Sequence, residues 1–174
     1  MKGAIMPTTL IGRSLLVVVL TVLATLFLAS CGKRGPEPIA YGQENCDFCR
    51  MNISDARFGA ELVMQTGKVK KFDSVECLAS YYLQEHASGK VHSVWVSDFA
   101  APGEFVAVDS ASFLQGGDAH SPMGLRLIAF SNPAGARAAQ GRFGGELLAW
   151  DAVLELVARH GDAHGAHPAR AAAL

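Results

Sequence analysis

Through the middle of the chain, apolar positions recur first at every second residue, then at every third or fourth, then at every second again. Residues 58–65, FGAELVMQ, and residues 69–72, VKKF, flank Thr66-Gly67-Lys68. Two short apolar runs around a glycine turn predict a β-hairpin. Val75, Leu78, Ala79, Tyr82 and Leu83 then share one helical face. Asp73 or Ser74 precedes them, and either can cap a helix by accepting from its first free N–H groups. Residues 91–99, VHSVWVSDF, return to alternation and predict a strand. Beyond it, residues 105–108 and 125–130 read as strands, Asn132-Pro133 opens a helix through Ala139, residues 146–150 read as a strand, and residues 152–158 form a last helix. Trp95 and Trp150 fall at strand positions and read as core. The order strand, strand, helix, strand thus occurs twice. It predicts an α+β fold of two small ββαβ units, residues 45–100 and 101–158.

The two ends lack that patterning. Residues 15–29 are an apolar run with no charge inside it, preceded by Lys2 and Arg13 and closing on Leu28-Ala29-Ser30-Cys31. A basic start, an apolar middle and small residues at the exit make residues 1–30 a signal peptide. The Leu-Ala-Ser-Cys ending resembles the lipobox of bacterial lipoproteins, in which Cys31 carries the lipid and becomes the new N-terminus. An uncleaved membrane helix needs about 20 apolar residues; this run is shorter, and Gly32-Lys33-Arg34-Gly35-Pro36 breaks any helix behind it. Residues beyond Cys31 then lie outside the cytoplasm, where thiols tend to oxidise. Residues 31–44, rich in Gly, Pro and Lys/Arg, read as a flexible tether. Residues 159–174, with His160, His164 and His167 among Ala and Gly, read as a disordered tail.

Charge and composition exclude several functions. A formal net charge of −1 leaves no basic footprint for nucleic acid. There is no Ser-His-Asp grouping on a recognisable elbow and no phosphate-cradling glycine loop; Gly116-Gly117 and Gly144-Gly145 are turn signals. What remains is sulfur. Residues 45–53, NCDFCRMNI, set Cys46 and Cys49 in C-x-x-C spacing with Met51 two positions on, in a chain with four cysteines. Thiolate and thioether donors together favour Cu(I). Three other uses compete. Structural zinc needs a second ligand pair, and only Cys77 and scattered histidines are left. A redox dithiol needs its first cysteine at a helix start behind a buried strand, whereas residues 40–45 are short and polar. A structural disulfide can join Cys46 to Cys49, or either to Cys77. Cys77 itself reads as a small buried hydrophobe.

Cys46-Asp47-Phe48-Cys49-Arg50-Met51 resembles the C-x-x-C-G-M motif of the NosL family, membrane-anchored accessory proteins of nitrous oxide reductase. Lipobox, tether and motif come in the family's order. Lys71-Phe72-Asp73-Ser74 through Tyr81-Tyr82-Leu83 resembles its "KF" pair and following helix, and Ser121-Pro122-Met123-Gly124 with Ala129-Phe130 resembles a feature of its second half. The resemblance implies a periplasmic Cu(I) chaperone rather than an enzyme, built of two ββαβ units and moored by its lipid. It also implies delivery of copper to the copper centres of nitrous oxide reductase through an ABC-type membrane complex. On that reading Cys49 and Met51 bind Cu(I), Cys46 is a second thiolate or exchange ligand, and Met123 supplies a further thioether if the two units face each other. The alternative is a periplasmic thiol-disulfide oxidoreductase, or a zinc- or mercury-handling protein, using Cys46 and Cys49. One position departs from the motif: Arg50 stands where the family has glycine, a residue that permits positive φ.

Overall fold

The structure is a computed structural model and describes residues 35–163. The signal peptide, Cys31, and His164 and His167 of the tail lie outside the described residues. Within them, the fold is α+β, with two small antiparallel sheets and three α-helices.

The hairpin forms as its turn chemistry demands. β1 (Ala60–Met64) and β2 (Val69–Phe72) pair antiparallel, with Ala60 opposite Phe72. Gly67 adopts φ +86 and donates to the Met64 carbonyl at the turn. β3 (Val91–Asp98) lies on the other side of β1, with Leu62 opposite Val94 and Ala60 opposite Val96. Between them α1 (Val75–Glu85) starts at Ser74, whose backbone is extended and whose side-chain oxygen accepts the Cys77 N–H at 3.2 Å. That oxygen satisfies one of the donors a helix start leaves open. Tyr81 packs on Phe72 at 5.3 Å between ring centroids and Tyr82 on Trp150 at 5.8 Å, so both tyrosines are half-buried against rings.

The second sheet repeats this topology. β5 (Ser112–Gln115) is central, flanked by β6 (Leu127–Phe130) and β7 (Glu146–Leu148), giving the order β6-β5-β7 beside the β2-β1-β3 of the first sheet. α2 (Pro133–Phe143) follows the cap Asn132, whose side chain accepts from the Gly135 N–H at 2.8 Å. α3 (Trp150–Ala163) closes the chain. Leu62, Phe72, Leu78 and Val96 from the first half join Phe113, Leu127, Trp150 and Val153 from the second in one core. Leu114, Ile128, Phe130, Ala136 and Ala139 form a smaller cluster with Phe58.

Three expectations are corrected. Residues 105–107 do not open the second unit; they end β4 (Ala101–Ala107), which pairs with β3 and makes a fourth strand of the first sheet. Only Phe99 and Ala100 separate β3 from β4, and the Asp98 carboxylate accepts the Ala100 N–H, so the chain folds straight back. Trp150 begins α3 rather than ending a strand, and α3 carries the chain on through Ala163, past the point where the tail was placed. Nor does the tether reach Glu44. Ile39 is buried, Tyr41 packs on the core, and the Glu37 N–H donates to the buried Glu61 carboxylate at 2.7 Å. Gly59 makes room for this strap, because a Cβ there would sit 2.5 Å from the Tyr41 hydroxyl.

Candidate metal centre

Residues 45–52 form a tight loop closed by its own backbone. Asn45 and Asn52 make an antiparallel bridge, the Cys46 N–H donates to the Met51 carbonyl at 2.8 Å, and the Arg50 N–H donates to the Cys46 carbonyl at 3.1 Å. Turning the chain back so sharply puts Arg50 at φ +69. A left-handed backbone costs a residue bearing a Cβ about 1–2 kcal/mol. Arg50→Gly should therefore stabilise the protein by about 1 kcal/mol, the cost relieved exceeding the extra chain entropy of glycine. A urea midpoint that moves down instead would show that the Arg50 side chain holds the loop.

Asp47 fixes the loop beside β2. Its N–H donates to the Lys71 carbonyl at 2.8 Å, and its carboxylate accepts the Lys71 N–H at 3.0 Å and the Lys70 ammonium at 2.7 Å. The Lys71 ammonium reaches Glu44 at 2.8 Å and the Pro38 carbonyl at 3.0 Å. β2 then runs directly into Asp73, Ser74 and the first turn of α1. Docking the loop here converges four donor groups: one ligand atom from each of Cys46, Cys49, Asp73 and Cys77, all within 4.8 Å of one another. Among the described residues no histidine joins such a group.

The three cysteines are free thiols. Their protonation is shared unequally. The Cys77 thiol donates to the Cys46 sulfur, and this bond, with backbone N–H groups of residues 73, 49 and 48, pulls Cys46 down to about 6 against the cost of burial. Burial, then the nearby Cys46 sulfur, pushes Cys49 up to about 11. Cys77 is raised because it is held as the donor to Cys46 and is itself buried. The surroundings thus favour negative charge at Cys46 over the other two thiols, close to the start of α1, where the helix dipole acts in the same direction. Asp73 is 4% exposed; its Oδ2 accepts the Cys49 thiol at 3.5 Å, and its Oδ1 is buried with no partner. A buried polar atom without a partner is uncommon in folded proteins. A cation among these donors would satisfy it, and three sulfurs suit a soft one.

Met51 and Met123 are the exposed large apolar side chains of the described residues, at 51% and 36%. Met51 leaves the loop next to the ligand turn. Met123 sits in a turn in which the Gly124 N–H donates to the Ser121 carbonyl, and the Ser121 hydroxyl donates to the buried Glu76 carboxylate, one residue before Cys77. Both thioethers are thereby carried on loops tied to elements that hold the cysteines. Phe48 is half-buried against the core.

Cys77 is buried in the core as expected, but its place beside the other thiols is what sequence reasoning missed. It is buried both in that core and against the other thiols. A cysteine three residues past a capping serine lies in the first helical turn, where open N–H groups and the dipole favour thiolate chemistry. That position was the available signal.

A sequence model of the NosL family matches residues 39–157. The chain is 29% identical over 176 aligned residues to the copper-binding lipoprotein NosL of Stutzerimonas stutzeri, covering 87% of this chain and 93% of that protein. A crystal structure of the copper chaperone NosL from Shewanella denitrificans has a TM-score of 0.59 and 27% identity, covering 69% of this chain and 96% of that one.

Proposed function

We propose, from the premise that the chain belongs to the NosL family, that it is a carrier of Cu(I), lipid-anchored at Cys31 on the periplasmic side of a membrane. One observation carries the reading: Cys46 and Cys49 lie in a single donor cluster, with the exposed Met51 thioether leaving the same loop. The named functions of the two relatives support it. Cu(I) accepts two or three soft ligands, so thiolates in a surface loop can pass the ion to an incoming donor, whereas structural zinc is retained by a closed tetrahedral set. Cys49, partly exposed, and Met51 form the face that meets the recipient; Cys46 is the thiolate behind them, and Met123 is a further thioether. The recipient is the ABC-type membrane complex that serves the copper centres of nitrous oxide reductase.

Anaerobic titration of the reduced full chain in detergent with Cu(I), against a coloured Cu(I) chelator, tests the reading. Equimolar, tight binding is expected. Cys49→Ser and Met51→Leu should each weaken it by at least the roughly 10–100-fold that loss of a partner outside the ligand set commonly costs. If both variants bind as the parent does, or if the parent instead reduces insulin disulfides and keeps doing so as Met51→Leu, the thiol-disulfide oxidoreductase reading takes its place.

A further inference from the structure

The cluster is not uniform in depth. Cys46 and Cys77 are 0% and 1% exposed, while Cys49 is partly exposed and Met51 is 51% exposed. The buried pair belongs to the same donor group, its two sulfurs within 4.8 Å of each other. Two metal–sulfur bonds of about 2.3 Å set end to end span roughly 4.6 Å. The sulfurs lie within 4.8 Å of one another, so that a small side-chain adjustment brings any two of them onto one ion.

Resting on the copper reading above, we infer that Cys77 is a copper ligand in its own right, and that the cluster holds two seats joined at Cys46. The inner seat is Cys46 with Cys77, closed to solvent. The outer seat is Cys49 with Met51, open to it. As an ion enters the inner seat, each thiol proton that Cys46 and Cys77 carry leaves to solvent, two copper–sulfur bonds form, and no electron changes hands. At Cys49 the thiol proton likewise leaves to solvent as a third copper–sulfur bond forms, so the stored ion bonds Cys46, Cys49 and Cys77; on release outward the copper–Cys77 bond breaks and Cys77 takes a proton back from solvent, with Cys46 bonded throughout. Retention and release thus belong to different sulfurs. Asp73 stands at the junction, its Oδ2 on the Cys49 thiol. The helix start makes the inner seat possible: Ser74 holds the Cys77 N–H, which fixes the first turn and turns the thiol toward the loop rather than toward the core of α1.

The test uses full chain produced with selenomethionine, loaded anaerobically with Cu(I) and measured by X-ray absorption at the copper edge. Thioether ligands then appear as copper–selenium scattering and thiolates as copper–sulfur. The expected spectrum has copper–sulfur scattering from Cys46, Cys49 and Cys77 together. In Cys77→Ala the copper–sulfur number should fall by one while copper–selenium is unchanged, and loss of copper to a competing chelator should quicken by about tenfold or more. Met51→Leu should lower the selenium number and keep the sulfur number. If the parent binds copper and Cys49→Ser abolishes binding, yet Cys77→Ala keeps the parent's sulfur number and release rate, Cys77 is no ligand and the copper reading survives without it. If the parent takes up no Cu(I), both readings fall. Should Cys77→Ala not fold, the parent spectrum decides alone, since a sulfur number of two or fewer rejects the inner seat.

Discussion

Truncating Phe72 to alanine is expected to destabilise the protein by about 3–5 kcal/mol, the usual cost of removing a buried aromatic ring. Phe72 is fully buried, lies 5.3 Å from the Tyr81 ring, and pairs with Ala60 at the end of β2. It is therefore held by backbone on one side and by α1 on the other, and neither can move in to fill the space. The measurement is a urea transition whose midpoint falls while its slope is unchanged. Phe72 also immediately precedes Asp73 and Ser74. Relaxation around the cavity should displace the first turn of α1, so copper affinity should fall in the fraction that remains folded. A loss below about 2 kcal/mol, with copper binding intact, would mean that the core collapses around the gap and that the site does not rest on this ring.

The second large effect is a pH dependence seated at Glu61. This residue is fully buried on β1; Oε2 accepts the Glu37 N–H, while Oε1 is buried with no partner, as is the Tyr41 hydroxyl of the same strap. Burial raises its carboxyl from 4.5 to about 7. The sign follows from proton counting. Below the unfolded value both states hold the proton and no penalty exists. As pH rises from there, the unfolded chain loses its proton while the folded one keeps it, so stability falls, and by pH values above about 7 the full cost is present. A shift of this size corresponds to about 3 kcal/mol. Glu61→Gln keeps an acceptor for Glu37 and cannot ionise. It should match the parent near about pH 4 and exceed it by up to about 3 kcal/mol near about pH 8. A difference that stays flat across that range would remove Glu61 as the source.

What the sequence disclosed divides along the distance over which each feature is decided. The hairpin at Gly67, the Ser74 cap and the face of α1 are local, and each formed where spacing and turn chemistry placed it. Cys46 and Cys49 were legible for the same reason. Cys77 was not, because its partnership exists only once β2 has carried the loop to the head of α1, and nothing in the spacing of residues 46 and 77 expresses that. β5 escaped notice because four residues, SFLQ, followed by two glycines, carry too little alternation to distinguish a central strand from a turn. The strap through Ile39 and Tyr41 has the Gly- and Pro-rich neighbourhood of a linker; two apolar side chains suffice to pin it, and composition averages them away. Arg50 is the converse case. Motif comparison marked it as a missing glycine, and the backbone confirms the demand for positive φ while keeping the arginine.

The ladder of four strands has an open margin at β2, and the thiol-bearing loop is what covers it, through the paired bonds between Asp47 and Lys71. Unpaired strand margins invite another copy of the chain to add on. The loop is thus a stopper against fibre-like growth as well as a cradle, and variants that cut or replace residues 45–52 should be checked for clumping before any loss of metal uptake is read as a loss of ligands.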